Sequence, residues 1–273
     1  MKTYYNKLDI IRLISCIAVL LYHMNILKGG FLAVCIFFVL SGYLSCISSF
    51  KKEKFSILTF YKNRLLHIYL PLVSVVFISI LTIGFFKDIN WLNLKPESTS
   101  VLLGYNNFWQ IDANADYFAR HISSPFMHFW YIAILLQFEL MFPFIFILFK
   151  KIGDKLHKII PCILLSILSI IGTIYFYQMS LKGNITFVYY NTFTRLFSIL
   201  FGLFIGFIHS YYNHLSFKNK YISTIIFYLY LIIISTMFLY IDSNSKYYAL
   251  RMIITTLITC RLITYATINI SNK

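Results

Sequence analysis

Charged residues are scarce in this chain. Only 12% of its 273 residues are Asp, Glu, Lys or Arg, while 59% are hydrophobic, whereas soluble globular domains carry about 25% charged residues. The apolar residues form long runs that do not alternate with polar ones, which excludes a soluble domain and transmembrane strands. Because backbone groups cannot stay unpaired in hydrocarbon, these runs predict the helices of an integral membrane protein.

Cysteine is also sparse, and its distribution excludes several classes of site. The five cysteines lie in apolar runs without metal-ligand spacing, so we interpret them as small hydrophobic residues and predict no metal. No internal repeat indicates an inverted-repeat transporter. The net charge of +15 comes from basic residues scattered over short connections. That pattern is typical of cytoplasmic loops in contact with membrane lipids, and it argues against a nucleic-acid partner.

Eight apolar runs reach the roughly 20 residues that a membrane-spanning helix needs. They cover about residues 9–27, 30–50, 66–86, 128–149, 158–179, 187–209, 220–241 and 247–268. No charged leader with a cleavage site precedes the first run, so we expect that run to be retained. The sequence therefore predicts an all-α polytopic bundle of about eight transmembrane helices, with residues 1–273 forming a single domain.

Basic residues are distributed unequally between the two sides of this bundle. With the N-terminus inside, the inner segments hold 14 Lys and Arg and the outer segments hold 6. The excess predicts that both termini are cytoplasmic. It also places residues 87–127 outside, as an extracytoplasmic loop of about 40 residues with turn formers and four carboxylates. A loop of that length is either a lid or binding segment or a plain tether.

Two polar residues interrupt the first apolar run. Arg12 and His23 are eleven residues apart, so a helix places them on one face, roughly 16 Å apart along its axis. Intramembrane charges normally face a bundle interior or a wet cavity. Arg12 would meet an anionic group from the cytoplasm or reach the headgroups beside Asp9. His23 lies too deep for the headgroups and is either a general base or nucleophile activator, or a neutral hydrogen-bonded imidazole.

The second and third runs contain small and basic residues. Ser41 and Gly42 follow "FFVL" in the second run, where small residues permit close helix approach. In "FYKNRLLHIYLP", Arg64 and His67 precede the third span. We place both at the inner interface, where basic residues usually meet lipid headgroups.

The fourth run opens with "HFWYIAILLQFELMFP". His128, Trp130 and Tyr131 fall at its outer boundary, where Trp and Tyr are ordinary interfacial anchors. Glu139 falls near the middle of the membrane, where a carboxylate is expensive and a functional role is the default hypothesis. Three arginines of later runs are its candidate partners: Arg195, Arg251 and Arg261.

Taken in order, these stretches resemble the acyltransferase-3 family of bacterial membrane proteins, in its O-antigen and cell-wall polysaccharide acetylase branch. The stretches "LDIIRLISCIAVLLYH" and "FFVLSGYL" are similar to the family's first two helices. Five of their residues match position by position: Asp9, Arg12, His23, Ser41 and Gly42. The segments "FYKNRLLHIYLP", "HFWYIAILLQFELMFP" and "TRLFSILFGLFIG" are similar to three later motifs, the last of which contains Arg195.

The resemblance implies a membrane O-acyltransferase of the bacterial cytoplasmic membrane. It would move an acyl group, in this branch acetyl, from cytoplasmic acyl-CoA to a hydroxyl of an extracytoplasmic cell-envelope polysaccharide or other glycan. Acyl-CoA would be a co-substrate, with no tightly bound cofactor. The implied catalytic residue is His23, as base or transient acyl acceptor, with Arg12.

The remaining implied roles cover binding and structure. CoA would be held by Arg12, Arg64 and His67. The substrate would be bound by His128, Trp130 and Tyr131. The structural motif would consist of Asp9, Ser41, Gly42 and Arg195.

Two of the chain's departures from the family pattern bear on its activity. The family's two glutamates fall at Leu135 and Leu136, so we assign the catalytic carboxylate to Glu139, one helical turn beyond Leu135 on the same face. The family usually has ten or more spans, which makes this a short and divergent member. These departures motivate an alternative: a non-catalytic membrane component of surface polysaccharide export or assembly, or a decayed acyltransferase.

Overall fold

The fold is all-α over the residues that the computed structural model describes, which are 6–85, 94–113, 126–212, 220–242 and 247–267. Short 3-10 turns precede α2 and α7, at Gly30–Leu32 and Met127–Phe129. The α-helices are α1 (Asn6–His23), α2 (Ala33–Phe50), α3 (Ile57–Arg64), α4 (Leu70–Phe85), α5 (Leu94–Leu102), α6 (Asn106–Asp112), α7 (Trp130–Lys155), α8 (Ile159–Leu181), α9 (Ile185–Tyr190), α10 (Thr192–Tyr211), α11 (Lys220–Tyr240) and α12 (Tyr248–Thr267).

Seven helical segments of the described chain are long and apolar enough to cross a membrane. They are Gly30–Phe50, Ile57–Phe85, Met127–Lys155, Ile159–Leu181, Ile185–Tyr211, Tyr221–Tyr240 and Tyr248–Thr267. These segments correspond to the second through eighth predicted runs and confirm a polytopic helical bundle. The first predicted run forms α1, which carries Lys7, Asp9 and Arg12 within eighteen residues and is not among the seven. Its crossing of the membrane stays a prediction.

The third span begins earlier than predicted. The sequence placed its start at residue 66, but the helical segment begins at Ile57 and continues through a π-helical turn, Leu65–Tyr69, into α4. Ser56 starts it by accepting a hydrogen bond from the Thr59 backbone N–H, 3.4 Å away. The π turn ends two residues before Pro71, which has no N–H for a helical hydrogen bond. Arg64 and His67 therefore lie inside a continuous helical segment, and the predicted boundary was wrong.

The described part of the predicted loop, residues 94–113, is helical and packed rather than a run of turns. Gln137 of α7 donates to the Gly104 carbonyl at 2.8 Å and to Asn107 Oδ1 at 2.9 Å. The Asn107 amide in turn donates to the Tyr190 carbonyl at 3.1 Å and to Thr192 Oγ1 at 3.0 Å. These bonds attach α5 and α6 to α7, α9 and α10, so this part is not a free tether. Residues 86–93 and 114–125 of the same segment lie outside the described residues, and its extracytoplasmic position stays a prediction.

Helix α2 runs through the centre of the bundle and packs closely on α10. A Cβ at Gly42 would overlap the Ile199 carbonyl, and a Cβ at Gly202 would overlap the Val39 carbonyl. Backbone-to-backbone contact of this kind is how small residues join membrane helices. The prediction of close helix approach at Gly42 is therefore confirmed. Ser41 is satisfied within α2, where its hydroxyl donates to the Phe37 carbonyl at 2.8 Å.

Candidate active site

A cavity of about 180 Å³ lies where α1, α2 and α7 meet. Two imidazoles face each other there, with the rings of His23 and His128 4.1 Å apart between centroids. The other lining residues are Val19, Val34, Phe37, Trp130 and Tyr131. Four residues that the sequence assigned to catalysis or substrate binding thus come together in one place.

The end of α1 places His23 at this cavity. His23 is the last residue of the helix, and Asn25 follows with a φ of 59°, in the left-handed region that Asn tolerates. The Asn25 N–H bonds to the Tyr22 carbonyl and the Ile26 N–H to the Leu21 carbonyl, which is the Schellman arrangement that closes a helix. The chain then turns back at Gly30, where a Cβ would overlap the Ala18 carbonyl of α1.

Aromatic packing fixes the wall that α7 contributes. The side chain of Trp130 is 2% exposed and packs on the rings of Tyr189 and Tyr190, at 4.9 and 5.4 Å between centroids. Tyr131 packs on Phe38 of α2 at 4.7 Å. Because these side chains are held from several helices, the wall is preformed.

Arg195 lies behind this wall and is fully buried. Its Nε donates to the Tyr189 carbonyl at 2.7 Å and its Nη1 to Met252 Sδ at 3.4 Å. The guanidinium carbon is 4.1 Å from the Tyr189 ring centroid and 5.6 Å from that of Trp130. Its Nη2 is buried without a hydrogen-bond acceptor among the described residues. Arg195 therefore interacts with aromatic faces and a carbonyl rather than with a carboxylate.

Glu139 lies in a second polar cluster, deeper along α7. Its Oε2 forms an ion pair with Arg64 Nε at 3.0 Å, and its Oε1 accepts from the Ser45 hydroxyl at 2.8 Å. Arg64 Nη2 also donates to Ser45 Oγ, at 2.6 Å. The three predicted partners of Glu139 were wrong: Arg195, Arg251 and Arg261. The sequence missed Arg64 because it placed that residue before its span, and it missed Ser45, which lies one helical turn beyond Ser41 on α2.

Arg12 and His67 lie apart from the cavity. Arg12 Nη1 forms an ion pair with Asp9 Oδ1 at 2.6 Å, and the two side chains are 44% and 37% exposed. One interpretation of the sequence has Arg12 reach the headgroups beside Asp9, and that contact stays a prediction. His67 Nδ1 is 2.7 Å from the Asn63 carbonyl, one turn earlier. Among the described residues, Arg12, Arg64 and His67 do not line the cavity, so their binding of CoA stays a prediction.

Comparison with known proteins places the chain among acyltransferases. A family model described as an acyltransferase domain matches residues 5–273. The chain is 33% identical over 216 residues to the O-acetyltransferase OatA of Staphylococcus aureus, in strains COL and MRSA252. That alignment covers 75% of this chain and 35% of each relative, so the chain spans about a third of their length. No solved structure matches.

The family match covers the helices that build the cavity and the Glu139 cluster as well as the seven candidate spans. The protein is thus a multi-pass membrane protein with an acyltransferase domain. It belongs to the acyltransferase-3 family.

Proposed function

We propose that the chain is the membrane domain of an O-acyltransferase. It transfers an acyl group, specifically acetyl, from acyl-CoA to a hydroxyl of a cell-envelope polysaccharide or other extracytoplasmic glycan. It acts in the bacterial cytoplasmic membrane with both termini in the cytoplasm. The observation that carries the proposal is the paired imidazoles of His23 and His128 inside a cavity of an acyltransferase domain.

One polar nitrogen beside the cavity has no partner among the described residues. The Nδ1 of His128 is buried and has no hydrogen-bond partner in the described part of the chain. A buried polar atom without a partner costs about 1–3 kcal/mol. A substrate hydroxyl or carbonyl that reached this nitrogen through a small rotation of the His128 ring would remove that cost, which supports a binding role for this end of α7.

His23 is the proposed base or transient acyl acceptor. As a base, its imidazole removes the proton of the acceptor hydroxyl while the oxygen bonds to the thioester carbon. The carbon–sulfur bond breaks, and the CoA thiolate leaves and is protonated. As an acceptor, the imidazole nitrogen attacks the thioester carbon, and the CoA thiolate leaves and is protonated. The acceptor hydroxyl then attacks the acyl carbon, gives its proton to His128 and displaces the imidazole of His23. In both routes His128 is next to the proton that moves.

The other predicted site residues are proposed to act around this centre. Arg12 and His67 would contact the CoA phosphates on the cytoplasmic side, since both side chains lie at the surface of the bundle. Arg64 would do the same or hold Glu139 in place. The family resemblance implies that Glu139 supplies the catalytic carboxylate that Leu135 and Leu136 lack, whereas its ion pair with Arg64 supports a structural role. Trp130 and Tyr131 would orient the substrate from the wall of the cavity.

Mass spectrometry of envelope glycans tests the proposal. Cells with and without the gene are compared for acetyl and larger acyl increments, and the deletion is complemented with wild type or His23→Ala. We expect wild type to restore acylation and His23→Ala to restore none while reaching the same abundance in the membrane. His209→Ala is the matched control, because His209 is bonded to Tyr43 and Thr267 and does not line the cavity.

Two outcomes contradict the proposal in different ways. If the His23→Ala variant restores acylation to the deletion strain, His23 is not the catalytic residue. Acylation unaffected by the deletion, together with a defect in glycan export, supports the non-catalytic alternative.

A further inference from the structure

The apolar lining of the cavity can be matched against the three parts of the two substrates: the CoA nucleotide, the acceptor sugar and the acyl chain. Val19, Val34 and Phe37 form one side of it, and among the described residues no charged side chain lines it. The nucleotide of CoA carries phosphates that require cations, and a sugar presents hydroxyls that each require a partner when buried. The acyl chain is uncharged and apolar, so this surface suits the acyl chain and neither of the other two.

The two valines line the cavity from different helices. Val19 precedes His23 by four residues, so both side chains are on one face of α1. Val34 lies in the first turn of α2, with its side chain 5% exposed. Phe37 continues the same wall and packs on Tyr131 at 6.0 Å between centroids.

The size of the cavity limits the length of that chain. Its volume of about 180 Å³ is below the roughly 300–1,000 Å³ of pockets that hold drug-sized ligands. A water molecule occupies about 30 Å³ of liquid, which gives the scale of one non-hydrogen atom. On this scale the cavity holds about six non-hydrogen atoms. The thioester carbonyl, its sulfur and the attacking oxygen account for four of them, which leaves room for one or two chain carbons, so acetyl fits and butyryl does not.

We propose that this cavity is the acyl-chain pocket, and that Val34, assisted by Val19, restricts it to short acyl groups. The inference rests on the proposed function and adds to it the residues that set acyl length. Val34 closes the pocket from α2 and Val19 closes it from α1, so shortening either side chain lengthens the space available beyond the acyl carbonyl.

A panel of donors tests this role. Membranes from cells lacking the native gene, which retain the natural acceptor, are supplied with the full chain and with acetyl-, propionyl-, butyryl- or hexanoyl-CoA. Release of CoA thiol and acyl increments on the glycan are measured. One methylene in an apolar pocket changes selectivity by about 10-fold or more. We therefore expect wild type to prefer acetyl over butyryl by at least about 10-fold, and Val34→Ala to reduce that ratio by about 10-fold.

Further variants separate a pocket effect from a loss of folding. Val19→Ala is expected to shift the same ratio in the same direction, and it tests the inference by itself if Val34→Ala does not accumulate. Val34→Phe should lower transfer of butyryl more than transfer of acetyl. Val75→Ala on α4, where the valine is 48% exposed and outside the cavity, is the matched control and should leave the ratio unchanged.

The possible failures are distinguishable. If the variants are active and their acetyl-to-butyryl ratio equals that of wild type, the acyl-pocket inference is overturned and the proposed function is untouched. If wild type releases no CoA from any of the four donors, the proposed function is overturned, and the acyl pocket with it.

Discussion

The bundle contains two polar centres that are built in opposite ways. Around His23 and His128 the lining is apolar, space is left open, and a polar nitrogen of His128 has no partner in the described chain. Around Glu139 the polar groups pair with one another, and Ser45, Arg64 and the carboxylate are in contact at 2.6 to 3.0 Å.

This contrast separates a group that can meet a substrate from groups that satisfy one another. A residue that reacts needs room for the reacting atoms and a proton that it can gain or lose. A buried ion pair uses its charges on its own partner, and removal of one member leaves an uncompensated charge. We infer that the cavity is the reaction centre, while the Glu139 cluster holds α2, α3 and α7 in the arrangement that forms it.

The largest effect on stability is expected at Glu139, whose side chain is 5% exposed. Glu139→Leu leaves the guanidinium of Arg64 without its counter-ion and should lower the free energy of unfolding by about 3–5 kcal/mol. The measurement is denaturant or thermal unfolding in detergent micelles. The double variant Arg64→Met/Glu139→Leu removes both charges and should recover most of the loss.

The same double variant tests the catalytic role that the family resemblance implies for Glu139. If it is stable and transfers acyl groups, the cluster serves structure, as the comparison suggests. If it is stable but inactive with all donors, one of the two residues takes part in the reaction, and the division between the two centres fails.

A smaller effect is expected at Arg195, which supports the cavity wall from behind. Arg195→Lys loses the planar contact with the Tyr189 and Trp130 rings and the bond from Nε to the Tyr189 carbonyl. We expect a loss of about 1–3 kcal/mol in the free energy of unfolding, because lysine cannot reproduce a stacked guanidinium. Arg261→Lys, at an exposed position of α12, is the control and should be neutral. Equal stability of the two variants would contradict a supporting role for Arg195.

Hydropathy was enough to predict the helical architecture, but it gave little information about which polar side chains pair with each other. Seven of the eight predicted runs are candidate spans, because the length and hydropathy of a run are enough to identify a helix that can cross a membrane. The start of the third span was missed because Ser56 caps a helix that begins among polar residues, where a hydropathy window has no signal. This error had a consequence: Arg64 was assigned to the interface, and the partner of Glu139 was sought in the wrong helices.

The cavity illustrates the same limit at the level of single residues. The sequence identified His23 from its cost inside an apolar run, and His128 through the family motif. That their rings meet depends on how α7 docks against α1, which no spacing within either helix encodes. Neither Val19 nor Val34 has a predicted role, since valine in a membrane helix is unremarkable until the packing shows that it faces a cavity.

Arg12 belongs to neither centre and should show the smallest effect on stability. Its ion pair with Asp9 is largely exposed, and exposed pairs of this kind contribute roughly 0.2–1 kcal/mol. Arg12→Gln should therefore change the free energy of unfolding by less than about 1 kcal/mol.

If Arg12 binds the phosphates of CoA, the same variant should raise KM for acetyl-CoA several-fold with kcat unchanged, because the lost interaction is made equally in the ground and transition states. Asp9→Asn is the control: it breaks the same pair but keeps the guanidinium, so KM should not rise. A fall in kcat for Arg12→Gln at unchanged KM would instead place Arg12 in the reaction itself, and the chemistry would then extend beyond the cavity at the other end of α1.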